Sequence, residues 1–152
     1  MNKKLSWSSL LLISLCLFAF SSCNSDDEDS PSKPVIKLEE LGSGHDSPND
    51  KIGYAGSSMH IEGEIIAEGL IKQIEVEVHS ETENYEFSQV YTDSKYVGVK
   101  NVIFHEHFDI PADVPAGLYH FHFTVIDQLG QTTTAESELT IKRNSDNLYH
   151  DH

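Results

Sequence analysis

Basic residues are scarce in this sequence. Its 152 residues include 10 lysines and arginines against 25 aspartates and glutamates, which gives a formal net charge of −15. Nucleic-acid binding needs a surface rich in lysine and arginine, and so does docking on an anionic membrane surface. We therefore expect no nucleic-acid partner. The charge fits a soluble, self-repelling exterior, which predicts a monomer, or a surface that binds cations.

Cysteine is also scarce, which restricts both the fold and the chemistry. The two cysteines are Cys16 and Cys23, and Cys16 lies in an N-terminal segment that we expect to be removed. With Cys23 alone, no intramolecular disulfide can form, so a hydrophobic core must hold the fold. No serine has a nucleophile-elbow context, and no glycine-rich phosphate loop is present. We therefore expect that the protein is not an enzyme.

Long apolar runs are missing as well. The apolar run Leu10–Phe20 follows Lys3 and Lys4 and is too short to cross a bilayer. Small residues after it suit cleavage, so residues 1–22 are predicted to be a signal peptide. The sequence Phe20-Ser21-Ser22-Cys23 resembles a bacterial lipobox, which implies that Cys23 is lipidated and anchors the protein to a membrane. An ordinary secretory signal cut at the same place is the alternative.

The segment that begins at Cys23 is acidic and rich in serine and proline. Because it has almost nothing to bury, the segment 23–33 is predicted to be a disordered tether. Residues 25–29, Ser-Asp-Asp-Glu-Asp, resemble the acidic export signal of surface-exposed lipoproteins in the Bacteroidetes. That resemblance implies a protein anchored in the outer membrane and exposed at the cell surface. The periplasmic face of the membrane is the alternative.

No helical period of useful length appears, whereas alternation of apolar and polar residues recurs along the chain. It predicts strands at 35–41, 58–67, 71–80, 85–91, 102–110, 118–127 and 131–142. These strands indicate an all-β, immunoglobulin-like antiparallel β-sandwich of about seven strands over 34–143, with a polar tail at 144–152. Tyr119, just after a Pro/Gly corner, fits a tyrosine corner. Glu106 interrupts an apolar face, which predicts either a rim position or a bulge there.

Two of the predicted strands each carry a His-x-His pair. The pairs are His105 with His107 and His120 with His122. Because side chains alternate along a strand, both rings of a pair point to the same face, with their Cα atoms roughly 6.6 Å apart. Phenylalanines occupy the opposite face of both strands. Building the core therefore does not require the histidines.

Two further histidines should join these pairs. In an immunoglobulin-type sandwich the third, sixth and seventh strands share one sheet, while the second and fifth belong to the other. His79 should then lie beside the pair of the sixth strand, and His60 beside the pair of the fifth, all facing water. The expectation is two clusters of three histidines, one per sheet. His45, in a loop, and His150 and His152, in the tail, could complete either cluster.

Three imidazoles and a water molecule describe an open tetrahedral zinc site. Cu²⁺ or Ni²⁺ would also accept imidazole and carboxylate, whereas the lack of cysteine and methionine ligands disfavours Cu⁺. The simpler interpretation is that histidines on the wet face of a strand are ordinary surface residues. Whether the pairs form one site, two or none stays open at this level.

The leading functional hypothesis combines the anchor with the histidines. It is a surface-exposed lipoprotein that binds a divalent transition metal, zinc first, and feeds it to an outer-membrane transporter. One alternative is a metal-independent module that binds a protein or a glycan, as in adhesion. Another is an accessory subunit of an outer-membrane uptake complex.

The histidine strands also carry a family resemblance. Residues 104–111 read Phe-His-x-His-x-x-Ile-Pro, and 115–130 read Pro-Ala-Gly-x-Tyr-His-Phe-His-x-x-Val-x-Asp-x-x-Gly. This arrangement resembles a family of Bacteroidetes lipoproteins known as domain of unknown function 4625, with looser likeness over 34–142. The resemblance implies an immunoglobulin-like lipoprotein. It brings no established activity and no assigned binding residues.

Overall fold

The computed structural model describes residues 30–44 and 49–143 of the chain. From Pro31 onward these belong to one compact unit. The predicted signal peptide, Cys23 and the polar tail lie outside the described residues, as do His45, His150 and His152. No helix in the described part of the chain is long and apolar enough to cross a membrane.

The described residues form eight β-strands joined by turns and loops, so the all-β prediction is confirmed. They are β1 (Val35–Gly42), β2 (Ile52–Tyr54), β3 (Ser58–Ile66), β4 (Ile71–Ser80), β5 (Tyr85–Tyr91), β6 (Asn101–Asp109), β7 (Gly117–Asp127) and β8 (Thr132–Lys142). One sheet has the order β1-β3-β6, and the other has the order β2-β8-β7-β4-β5. This order matches the A-B-E and G-F-C sheets of an immunoglobulin-type sandwich. The predicted sheet partners of the two His-x-His strands are therefore correct.

The sequence pattern does not predict strand β2. Because this strand pairs in parallel with β8, the expectation of a purely antiparallel sandwich is wrong at this one pair. Its three residues pair in parallel with Thr140, Ile141 and Lys142 at the end of β8. Lys51, just before it, has a φ of 55°, so the chain turns sharply into the strand. Three residues are too few to show an alternating pattern, so the strand cannot be recognised from the sequence.

Aromatic side chains of the two sheets meet in the core. Phe104 of β6 and Phe123 of β7 lie with their ring centroids 4.9 Å apart, and Tyr91 meets Phe104 edge-on at 4.9 Å. All three are buried. Burying one such side chain contributes about 1.5–3 kcal/mol. These aromatic residues fix how the sheets face each other, and so which residues of β6 and β7 point outward.

The tyrosine corner predicted at Tyr119 is confirmed. Its hydroxyl donates a hydrogen bond of 2.8 Å to the backbone carbonyl of Pro115, four residues upstream. The ring itself is almost fully buried. The bond ties the β6–β7 corner to the start of β7, the strand that carries one of the histidine pairs.

Glu106 lies at a rim and not at a bulge. The pairing of β3 with β6 is continuous, and β6 is an edge strand of its sheet. The Glu106 carboxylate accepts hydrogen bonds from Lys95 and from the hydroxyl of Tyr96. Burial alone would raise the pKa of Glu106, but these two hydrogen bonds and the Lys95 charge bring it below its usual value.

Candidate metal centre

Three histidines converge on the outer face of the three-stranded sheet. We call His60, His105 and His107 the β3/β6 histidine cluster. His60 pairs directly with His107 across the two strands, and His105 is one pair further along. The His60 ring lies 4.6 Å from that of His105 and 5.5 Å from that of His107, centroid to centroid. One nitrogen from each of the three rings lies within 4.8 Å of the others.

The expectation that His60 faces water is wrong, because the residue is 0% exposed. Its side chain does point to the outer face of the sheet, opposite the core. However, β3 is the central strand of three, so side chains of β1 and β6 cover it from both sides. Alternation in the sequence predicts the direction of a side chain, but it does not predict what its neighbours cover.

Carboxylates lie against two of the three rings. Oε2 of Glu40 is 2.9 Å from Nε2 of His60, and Oε2 of Glu62 is 3.0 Å from Nδ1 of His105. The same Glu62 oxygen is 3.9 Å from Nε2 of His60. Metal-bound histidines usually have a carboxylate or carbonyl oxygen on their second ring nitrogen, which fixes the ring and raises its basicity.

Glu40 is a residue that the sequence reasoning missed. The register of β1 against β3 shifts between Leu38 and Glu40, so Glu39 is the extra residue of a bulge. Without that extra residue, alternation would turn Glu40 toward the core. The bulge instead sets Glu40 opposite Glu62 on the outer face, while Leu41 remains buried.

The donor set of the β3/β6 histidine cluster suits a divalent transition metal. Glu40, His60 and Glu62 form a second group whose donor atoms lie within 4.8 Å of each other, so His60 is common to a nitrogen-rich and an oxygen-rich set. Ligands around a tetrahedral zinc ion are about 3.4 Å apart at Zn–N distances near 2.1 Å. The observed upper limit of 4.8 Å is longer than this spacing, so an ion would have to draw the donor atoms closer together.

Three more histidines meet on the outer face of the five-stranded sheet. We call His79, His120 and His122 the β4/β7 histidine cluster. His79 pairs with His120 across the strands, with ring centroids 5.4 Å apart. The His79 and His122 rings are stacked, with centroids 5.0 Å apart and an angle of 8° between planes. The predicted neighbours of His79 are thus correct.

The donor atoms that converge in the β4/β7 histidine cluster are nevertheless not three imidazoles. They belong to Glu77, His79 and His122, and His120 is outside that group. Oε1 of Glu77 is 3.0 Å from Nδ1 of His79. Oε1 of Glu136 is 3.6 Å from Nδ1 of His122. Nε2 of His122 is buried and has no hydrogen-bond partner among the described residues.

Both clusters lie toward the same end of the sandwich. The chain enters at the other end, where the side-chain amide of Gln131 donates to the carbonyl of Pro31 and the amide of Ser32 donates to Glu68. Val35 pairs with Ile66 at that end. His60 is six residues along β3 from Ile66, which is roughly 20 Å at the rise of a strand.

Solved structures resemble the chain only distantly. OgpA from Akkermansia muciniphila shares 13% identity over 72% of this chain, with a TM-score of 0.48, and the match covers 29% of OgpA. Spo0M, a sporulation control protein from Bacillus subtilis, shares 10% sequence identity with a TM-score of 0.45. The match covers 73% of this chain and 50% of Spo0M. A Niemann-Pick type C2 protein from the Japanese carpenter ant shares 14% sequence identity with a TM-score of 0.44. The match covers 74% of this chain and 91% of the ant protein. At TM-scores below 0.5 these likenesses are too distant to bear on function.

No curated protein matches the chain. The model of one protein family, described as Domain of unknown function (DUF4625), matches residues 21–142. The match covers both histidine clusters and agrees with the family resemblance that the histidine motif carries in the sequence.

Proposed function

We propose that this chain, which belongs to the DUF4625 family, binds a divalent transition metal at the β3/β6 histidine cluster. The observation that carries the proposal is the pairing of rings and carboxylates there. Three ring nitrogens converge within 4.8 Å, and carboxylate oxygens lie 2.9 Å from His60 and 3.0 Å from His105. In zinc proteins a ligating histidine commonly has a carboxylate on its second ring nitrogen, which supports the proposal.

Zinc fits this donor set best. Three imidazoles leave a fourth tetrahedral position for water or for a ligand from another molecule. Cu²⁺ and Ni²⁺ accept the same donors and are the competing ions. An ion held by three protein ligands on an outer sheet face can exchange, which suits capture and release. We propose binding and not catalysis, because a metal hydrolase needs its ion in a shaped cavity with a general base.

The proposed setting is the outer-membrane surface, with the protein anchored through lipidated Cys23. The periplasmic face of the same membrane is the alternative setting. Pro31, where the described compact unit begins, lies at the end of the sandwich opposite the histidines. The protein would collect ions at this surface and offer them to an outer-membrane transporter. This delivery role rests on the predicted compartment and on the type of ligand.

Calorimetric titration with Zn²⁺ tests the proposal. The protein should be purified without a histidine tag, and H45A, H150A and H152A should be introduced so that residues outside the described part do not contribute. The H105A/H107A variant removes two exposed rings and should lower the affinity of this site by at least about 100-fold. H120A is the matched control and should leave it unchanged. Equal zinc binding in H105A/H107A and its parent would refute the proposal.

A second candidate function is a metal-independent module that binds a protein or a glycan. It is favoured by three exposed apolar side chains, Val35, Ile66 and Ile103, on the outer face of the three-stranded sheet. Val35 pairs with Ile66, and Ile103 pairs with Glu64 beside them. Contiguous exposed apolar side chains often mark interaction surfaces. A partner that stays bound in excess chelator, and is released by I103D, would support this function.

A further inference from the structure

We infer that Glu77, together with His79 and His122 of the β4/β7 histidine cluster, forms a second, independent metal site with a mixed donor set. It lies on the other sheet from the β3/β6 histidine cluster and shares no residue with it. Its ligand would be a first-row divalent transition metal ion. The inference does not depend on the site proposed above.

The spacing of Glu77 and His79 is already that of two ligands of one ion. Oε1 of Glu77 and Nδ1 of His79 are 3.0 Å apart. Two adjacent ligands at about 2.1 Å from an ion lie about 3.0 Å apart in an octahedral site and about 3.4 Å apart in a tetrahedral one. An ion could therefore replace the hydrogen bond between these two atoms with little movement of either side chain.

His122 is oriented to supply the third ligand. Its Nδ1 faces the carboxylate of Glu136, 3.6 Å away, which can hold the ring and stabilise a proton on that nitrogen. Its Nε2 is buried, and no described residue hydrogen-bonds to it. Burying a polar atom without a partner destabilises the fold. A metal ion at Nε2 would remove that cost.

His120 belongs to the cluster but not to the site. Its ring is exposed, and its backbone lies between His79 on β4 and Glu138 on β8. The donor set is therefore two imidazoles and one carboxylate. Such a set is known for both zinc and ferrous iron, and it leaves several positions open to water. We expect this site to bind zinc more weakly than the nitrogen-rich β3/β6 histidine cluster and to accept Mn²⁺ or Fe²⁺ more readily.

The test is a Zn²⁺ titration of the full chain in the H45A/H150A/H152A background, with two pairs of matched variants. E77Q removes a donor, whereas E75Q removes the same charge from the same face of the same strand. H122A removes a donor ring, whereas H120A removes a ring of the same cluster that lies outside the donor group. E77Q and H122A should each lower the affinity of one of two zinc sites by at least about tenfold. E75Q and H120A should leave both sites unchanged.

Two results would overturn the inference. One is an E75Q effect as large as that of E77Q, which would mean that diffuse negative charge attracts the ion. The other is loss of the second site in H120A but not in H122A.

The H105A/H107A variant separates this inference from the proposed function, because it should keep the second site whether or not the first exists. Thermal unfolding without metal checks that each variant is folded. The optical spectrum of bound Co²⁺ reports whether the carboxylate ligates.

Discussion

Oε2 of Glu40 lies 2.9 Å from Nε2 of the buried His60. The two residues belong to neighbouring strands, and Glu40 faces His60 only because of the bulge at Glu39. A bulge of this kind re-aims one side chain without disturbing the core residues on either side. We therefore expect Glu40 to orient the His60 ring, and that role can be tested separately from fold stability.

Replacing Glu40 should weaken zinc binding without removing a histidine. We expect E40A to lower the zinc affinity of the β3/β6 histidine cluster by about 10–100-fold, the usual effect of losing a carboxylate behind a ligating histidine. E39A is the control, because it removes the same charge from the adjacent residue, whose contact is an exposed ion pair with Lys37. Calorimetric titration of both variants measures the difference. Equal loss in E39A and E40A would contradict an orienting role for Glu40.

Phe104 should be the most sensitive position of the strand that carries His105 and His107. Its ring contacts Tyr91, Tyr96 and Phe123 in the core. We expect F104A to lower the free energy of unfolding by about 3–5 kcal/mol, because it removes buried surface and leaves a cavity.

The control for F104A is the adjacent residue. I103A truncates a side chain that is 53% exposed, and it should change stability by no more than about 0.5 kcal/mol. Urea unfolding monitored by circular dichroism gives both values. Similar losses in the two variants would mean that the inward and outward faces of β6 have been misassigned.

The regular part of this molecule could be predicted from its sequence. Alternation along β6 and β7 gives the strands, the inward aromatic residues and the outward histidines, and the sandwich topology then sets His60 and His79 beside them. Three features could not be predicted, each for a different structural reason. Strand β2 is too short to show a period, the bulge at Glu39 leaves no compositional mark, and the burial of His60 depends on neighbouring strands.

Which side chains form the donor group of Glu77, His79 and His122 could not be settled from the sequence alone. Glu77 lies at period two with Glu75, which reads as the solvated face of a strand. Register alone would join His79 to His120, its direct partner. Register also sets Glu77 opposite His122, and the diagonal stacking of the His79 ring on the His122 ring joins the two pairs into one donor group. Such diagonal contacts depend on rotamers and not on strand pairing.

Removing the Tyr119 hydroxyl should have a small but measurable effect. The hydroxyl donates to the carbonyl of Pro115, and the ring is buried. We expect Y119F to lower the free energy of unfolding by about 0.5–1.5 kcal/mol, because one net hydrogen bond is lost while the packing of the ring is kept. Thermal unfolding measures this. The control is Y85F, whose hydroxyl donates to Asp113 at an exposed site and should matter less.

Glu106 should make the stability of the sandwich depend on pH in the acid range. Its carboxylate accepts hydrogen bonds from Lys95 and Tyr96, and these outweigh burial and lower its pKa. A carboxyl whose pKa is lower in the folded than in the unfolded protein stabilises the fold above the unfolded value, about 4.3 for glutamate. That contribution is lost as the pH falls through the lowered folded pKa. We therefore expect the wild type to be more stable than E106Q at pH 7, and the difference to shrink toward pH 3.

Urea unfolding of wild type and E106Q at several pH values between 3 and 7 checks this. K95M removes the main charged partner of Glu106, so E106Q should cost less in a K95M background than in the wild type at pH 7. The two costs should converge at low pH, where Glu106 is protonated. If the difference between wild type and E106Q were the same at pH 3 and pH 7, the ionised carboxylate would not be the species that holds Lys95 and Tyr96 at this rim.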